Sequence, residues 1–186
     1  MFGNRSWTVL TVVVLGLLGS GTGTMSASAQ THHPGMASAA IPQAKGRFSF
    51  AYVQSHNSKC LGSNSKKDAA IFKCTYLGLQ KWHRGAEIGT TSYFQFINAS
   101  GQCLGVAGNS KKKGAQVIVT ACNKHNTSQF WLIDFLNTQS YLCYVFNRRS
   151  GYVLEPTSKA NGAKVKQQPW LSTNKGQQWV FVSDSD

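Results

Sequence analysis

Gln177-Gln178-Trp179 closes a pattern that opens at Gln80-Lys81-Trp82 and passes through Gln129-Phe130-Trp131. The three triplets stand 49 and 48 residues apart. Self-similarity at an interval of about 20–50 residues is the mark of a repeated supersecondary unit. Two further landmarks keep the same order. Lys59-Cys60-Leu61-Gly62, Gln102-Cys103-Leu104-Gly105 and Tyr152-Val153-Leu154-Glu155 come first in each copy. Cys74, Cys122 and Trp170 follow, lying 6, 7 and 7 residues before each glutamine. Three features recurring in one order establish three copies of one unit.

Each copy reads as short strands. Phe48-Ser49-Phe50-Ala51-Tyr52 alternates large apolar and small residues, Tyr93 to Ile97 is similar, and Tyr141 to Phe146 is continuously apolar. Turn residues follow each one, at His56-Asn57-Ser58, Asn98 to Gly101 and Arg148 to Gly151. Gln116 to Thr120 is β-branched, and Trp131-Leu132-Ile133-Asp134-Phe135 opens on the tryptophan of its triplet. No convincing helical period intervenes. Four strands per unit make twelve in all. Three four-stranded units with pseudo-threefold symmetry imply an all-β fold, a β-trefoil. Its expected span is 46–183, with repeats at about 46–89, 90–138 and 139–183.

Composition supports this reading. Of 186 residues, 41% are hydrophobic and 11% aromatic, enough for a packed core and against disorder throughout. Charge is sparse at 13% and mostly basic, 19 Lys+Arg against 6 Asp+Glu, for a net +13. Ahead of the repeats, Arg5, the apolar run Val9 to Leu18 and Ala27-Ser28-Ala29 have the layout of a secretory signal peptide over 1–29. The apolar run is about half of what a bilayer span needs. A secreted, extracellular protein without membrane insertion after cleavage is therefore expected, with its cysteines in an oxidising compartment. Residues 30–45 read as a flexible tail; His32-His33 lies there without a third ligand nearby, so no metal site is expected.

The order Cys-Leu-x, Cys, Gln-x-Trp, three times in one chain, resembles the ricin-B-type β-trefoil lectin family. The resemblance runs from Gly46 to Val182. It implies that Gln80, Trp82, Gln129, Trp131, Gln177 and Trp179 hold the fold, the tryptophans in a shared core and the glutamines bracing backbone. With the cysteines following the repeat, Cys60–Cys74 and Cys103–Cys122 are the expected disulfides, each contributing about 3 kcal/mol. In the third unit both positions are apolar, Val153 and Trp170, so packing is expected to replace the bridge. Cys143 is left over in an apolar strand and reads as a buried free thiol.

Enzyme classes find little support. The carboxylates are Asp68, Glu87, Asp134, Glu155, Asp184 and Asp186, and no two form an evident pair across a glycosidic bond. The chain lacks H-E-x-x-H, G-x-S-x-G and a Walker loop. No catalysis and no cofactor are expected.

The resemblance also implies a shallow sugar pocket on each unit. It needs an aspartate two residues after the first cysteine as hydroxyl acceptor, an aromatic two residues before the second cysteine as stacking platform, and a polar residue just before Gln-x-Trp. Unit one carries Gly62, Phe72 and Leu79 at these positions; unit two carries Gly105, Thr120 and Ser128; unit three carries Glu155, Gln168 and Gly176. No unit is complete. The carbohydrate-binding candidates are accordingly Glu155, with Gln168 and Tyr152 nearby, and secondarily Phe72.

A basic loop also recurs, holding Lys66 and Lys67, then Lys111, Lys112 and Lys113, then Lys159. Like charge at three equivalent exposed turns, placed at the pocket rims, suggests affinity for an anionic polymer. Teichoic acids, uronate-rich or sulfated glycans and extracellular DNA carry that charge. No aromatic strip accompanies the lysines, so no specific nucleic-acid partner is expected. The sequence thus points to a monomeric, non-enzymatic, lectin-like protein binding glycans or polysaccharide, neutral or anionic, weakly and multivalently. The alternative is a degenerate trefoil serving as a basic adhesion or interaction module for anionic polymers or another protein, without specific sugar binding.

Overall fold

A computed structural model describes residues 50–183, except 76 and 138. The signal-peptide and tail segments lie outside the described residues, as do Phe48 and Ser49 of the first expected strand. Unit one contains β1 (Phe50–Ser55), β2 (Lys59–Ser63), β3 (Ala69–Lys73) and β4 (Trp82–Glu87). Unit two contains β5 (Phe94–Asn98), β6 (Gln102–Val106), β7 (Val117–Ala121) and β8 (Phe130–Asn137). Unit three contains β9 (Leu142–Asn147), β10 (Val153–Pro156), β11 (Ala163–Gln168) and β12 (Trp179–Ser183). The protein is an all-β trefoil. A 3-10 turn precedes the fourth strand of each unit and ends on the repeat glutamine, at Gly78–Gln80, Thr127–Gln129 and Lys175–Gln177.

First and fourth strands build the barrel wall. β4 pairs with β5, β8 with β9, and β12 with β1, so each unit is joined to the next and the last returns to the first. Second and third strands form the hairpins β2–β3, β6–β7 and β10–β11. The turn between first and second strands requires a left-handed residue at its last position. Gly101 (φ 71°) and Gly151 (φ 72°) supply it in units two and three, and Ser58 (φ 60°) bears it in unit one.

The repeat landmarks converge inside. Trp82, Trp131 and Trp179 are almost fully buried, with Leu61, Leu104 and Leu154. Each indole N–H donates to the carbonyl of its unit's leucine, at 3.0, 2.9 and 3.1 Å. A buried tryptophan covers much apolar area, and this bond satisfies its one polar atom. Each glutamine clamps the chain running to its triplet. Gln80 Nε2 donates to the Lys73 carbonyl and Oε1 accepts from Thr75 N. Gln129 does the same with Ala121 and Asn123, and Gln177 with Pro169 and Leu171.

Disulfides join Cys60 to Cys74 and Cys103 to Cys122. In unit three, Val153 packs with Leu132, Tyr144, Phe146 and Trp170, and the Trp170 and Tyr144 rings meet edge-on at 5.8 Å. Packing occupies the place of the bridge there. Cys143 is a buried free cysteine whose Sγ donates to the Trp179 carbonyl at 3.4 Å.

The three hairpins close one end of the barrel. Asp68 pairs with Ile118, Gln116 with Lys166, and Ala163 with Ile71. The start of each third strand therefore meets the middle of the next, and the cycle returns to its origin. At its centre, Gln116 Nε2 donates to the carbonyls of Val117, Val165 and Ala69 at 2.7, 3.0 and 3.3 Å. Those three residues are equivalent in the three units, so one amide sits on the pseudo-threefold axis.

Candidate carbohydrate-binding site

The third unit builds a cavity of about 410 Å³ around Glu155. β10 brings Glu155 into its lining, and the chain beyond adds Pro156, Ser158 and Lys159. The loop before Gln177 adds Thr173, Asn174, Lys175 and Gly176, and the turn after β1 adds His56 and Asn57 from unit one. Unit one reaches the site because β1 pairs with β12 and because His56 N donates to the Gln178 carbonyl at 3.1 Å. Asn174 caps its own turn, accepting from Gly176 N at 2.9 Å. A side-chain Cβ at Gly176 would stand 3.0 Å from Asn174 Oδ1, a close contact.

Glu155 Oε2 accepts a hydrogen bond of 2.8 Å from Gln177 Nε2. The same amide braces Pro169, so the carboxylate is oriented by the frame of the fold. A carboxylate held in place by an amide at a cavity is an acceptor suited to paired hydroxyls. The imidazole of His56 is the one aromatic ring in the lining.

Units one and two place different groups at the equivalent point. A Cβ at Gly105 would lie 2.9 Å from Gln129 Cγ, and one at Gly62 3.3 Å from both Gln80 Cγ and Phe72 Cδ2. The glutamine stems lean into the space that an acceptor would use. Phe72 is half-buried with its ring over Gly62. In unit two the buried Ser128 hydroxyl lies 2.8 Å from Asn109 Oδ1 and 2.9 Å from Asn126 Oδ1, so its polar group is consumed internally. Arg149 Nε donates to the Asn109 carbonyl at 2.6 Å on the same loop.

Several expected residues are not brought together. Gln168 is paired with Val153 in the β10–β11 register and does not line the cavity with Glu155. Tyr152 lies in the turn before β10, where its carbonyl accepts from Asn147 N at 2.7 Å, and is likewise outside the lining. Of the six expected cap lysines only Lys159 borders the cavity. Lys66, Lys67, Lys111, Lys112 and Lys113 stand instead on the two other hairpin tips, exposed. His56, Asn57, Thr173, Asn174 and Lys175 were not anticipated. Closure of the trefoil is the signal that could have found the first two, because it sets the turn after the first strand beside the last unit.

Among the described residues no group of three His, Cys, Asp or Glu is arranged to hold a metal. Asp68 is paired to Lys164 at 2.9 Å, Glu87 is paired to Arg84, and Asp134 lies on β8.

Comparison with known proteins agrees with the fold. Residues 79–168 match the family described as ricin-type beta-trefoil lectin domain-like. No curated protein matches the chain by sequence. Among solved structures, a designed threefold-symmetric protein, ThreeFoil, is similar with a TM-score of 0.63 and 24% identity, over 70% of this chain and 96% of that one. An exo-beta-1,3-galactanase from Clostridium thermocellum is similar with a TM-score of 0.64 and 20% identity, over 77% of this chain but only 31% of the enzyme. A Polyporus squamosus lectin, solved with a sialylated influenza-binding epitope, gives a TM-score of 0.61 and 17% identity, over 74% of this chain and 49% of the lectin. Repeat, strand pairing and family match agree on one fold: the chain is a β-trefoil, and its residues 79–168 are similar to the ricin-type beta-trefoil lectin domain-like family.

Proposed function

We propose that this protein is a secreted, non-catalytic, glycan-binding β-trefoil whose working pocket is the Glu155 cavity of unit three. The observation that carries the reading is the Glu155–Gln177 hydrogen bond of 2.8 Å at a cavity whose lining includes Asn57, Ser158, Thr173 and Asn174. Glu155 accepts from two neighbouring sugar hydroxyls. Asn57, Ser158 and Thr173 discriminate among hydroxyl orientations, and His56 supplies a flat face in place of the missing aromatic platform. Gln168 and Tyr152 support the strand and turn that carry Glu155. A single shallow pocket binds weakly, so avidity on a polysaccharide needs a further contact. Phe72 on unit one is the candidate for it. The two disulfides are compatible with an extracellular protein, and a monomer suffices for the pocket.

A glycan array probed at low and high salt tests the reading. Binding to a defined glycan that persists at high salt, is competed by the free sugar and is lost in Glu155→Ala is expected. Salt-resistant binding that Glu155→Ala leaves intact would place the site elsewhere.

A further inference from the structure

We infer that the closed end of the barrel is a second binding surface, meeting the Glu155 pocket only at Lys159, for a densely anionic linear glycan such as a sulfated polysaccharide. The strand cycle Asp68–Ile118, Gln116–Lys166 and Ala163–Ile71 gathers the three hairpin tips around one axis. The tips are also bonded to their neighbours. The Lys67 carbonyl accepts from Val119 N at 2.8 Å, the Lys112 carbonyl from Gln167 Nε2 at 2.9 Å, and Gly162 N donates to the Ile71 carbonyl at 2.7 Å. These bonds thus fix the positions from which Lys66, Lys67, Lys111, Lys112, Lys113 and Lys159 project, and all six are exposed. Bringing like charges together is unfavourable in an otherwise weakly charged chain, and the surface has little to relieve it. Asp68 is the one carboxylate in the three tips, and Lys164 already pairs with it at 2.9 Å. A polyanion laid across the tips supplies the missing countercharge.

The chemistry of the tips narrows the ligand. The cations are lysines, compact point charges without the planar fork that reads a single carboxylate or phosphate bidentately. No Phe, Trp or Tyr stands in residues 64–68, 107–116 or 156–166. Bases therefore have nothing to stack on, which disfavours single-stranded nucleic acid. Charge density along a flexible glycan is what such a surface recognises.

The test uses the protein on immobilised heparin, with single-stranded DNA and a uronate-only polysaccharide as comparison ligands. Lys111→Gln/Lys112→Gln is compared with Lys124→Gln/Arg148→Gln, which removes the same charge away from the tips, and with Glu155→Ala. The expected result is retention on heparin stronger than on the other two ligands. The tip variant should weaken it about tenfold at physiological salt, with a shallower salt dependence, while the other two variants change it less than about twofold. Equal losses in the two charge-matched variants would overturn the proposal, since net charge alone would then be acting. DNA bound as tightly as heparin would overturn it as well. Loss of heparin binding in Glu155→Ala would merge this surface with the pocket and remove it as a second site.

Discussion

Glu155 and Gln177 are joined at 2.8 Å by a hydrogen bond in which an amide of the structural frame holds a carboxylate of the cavity. The same Gln177 nitrogen donates to the Pro169 carbonyl at 2.8 Å, and its oxygen accepts from Leu171 N. Site and frame therefore share one side chain. Replacing Glu155 by Gln preserves an acceptor for Gln177 but removes the charge. The expected outcome is loss of most glycan affinity with a denaturation midpoint close to that of the parent. Glu155→Ala also breaks the bond, and a charge-assisted hydrogen bond is worth about 1.5–3 kcal/mol when fully formed. Chemical denaturation alongside glycan titration separates the two effects. A midpoint lowered equally by both variants would show that the charge itself supports the fold.

The axial amide of Gln116 makes a sharper test of the fold. Its two N–H groups serve three carbonyls, those of Ala69, Val117 and Val165. Truncation to Ala leaves them without this donor, at a cost of about 1–3 kcal/mol. Gln116→Glu should be worse, because it turns a carboxylate oxygen toward three carbonyl oxygens. The midpoints in urea should rank parent, Gln116→Ala, Gln116→Glu. An unchanged midpoint in both variants would mean that the carbonyls have no need of the plug.

Cys143 should be chemically silent in the native protein. Burial, with the Asp134 charge behind it, holds its thiol well above the ordinary thiol range. The thiolate is the reactive form, so it is scarce even in mildly alkaline solution. A thiol titration at about pH 8 should find no reactive group in the folded chain and one per chain in denaturant. Rapid labelling of the native protein would show that the β9–β12 region opens.

Asp68 gives the cap a pH dependence. Its hydrogen bond with Lys164 is the main cause holding its pKa below the usual 3.8, opposed by desolvation and assisted by Asn64. A folded-state pKa below the unfolded one stabilises the protein above the unfolded value. The contribution is lost as pH falls through the folded value. Because the Lys164 side chain is 53% exposed, the effect is below about 1 kcal/mol. The stability difference between parent and Asp68→Asn should be constant above about pH 5 and shrink as pH falls through the lowered folded-state pKa. A difference that persists at the acid end would indicate a loss unrelated to the ion pair.

The fold was legible because its determinants are themselves repeated. A tryptophan, a glutamine and a leucine perform the same task three times, so their interval shows in the sequence. The pocket was legible at Glu155, which occupies a repeat position, and at Lys159 in the third basic loop. His56 and Asn57 come from the opposite end of the repeat region, and Asn174 does its work through a turn that a spacing pattern does not show. Gln116 is hidden for the reverse reason. Asp68, Gln116 and Lys164 stand at equivalent positions but share no chemistry, since one amide on the axis serves all three units. The two glycines, Gly62 and Gly105, read as lost acceptors. The structure shows in addition that Gln80 and Gln129 lean into the space an acceptor would need.

The pairing of β1 with β12, running from Phe50↔Ser183 to Ser55↔Trp179, also has a kinetic side. During synthesis the first strand must wait for the last before the barrel can shut. A chain whose contacts are so distant in sequence folds slowly for its size. The wait falls on the ligand site too, because His56 and Asn57 meet Thr173 to Gly176 across that seam. A chain cut before Thr173 would hold Glu155 on its strand yet lack one wall of the cavity. The proposed glycan site would then take shape only once β12 has paired with β1.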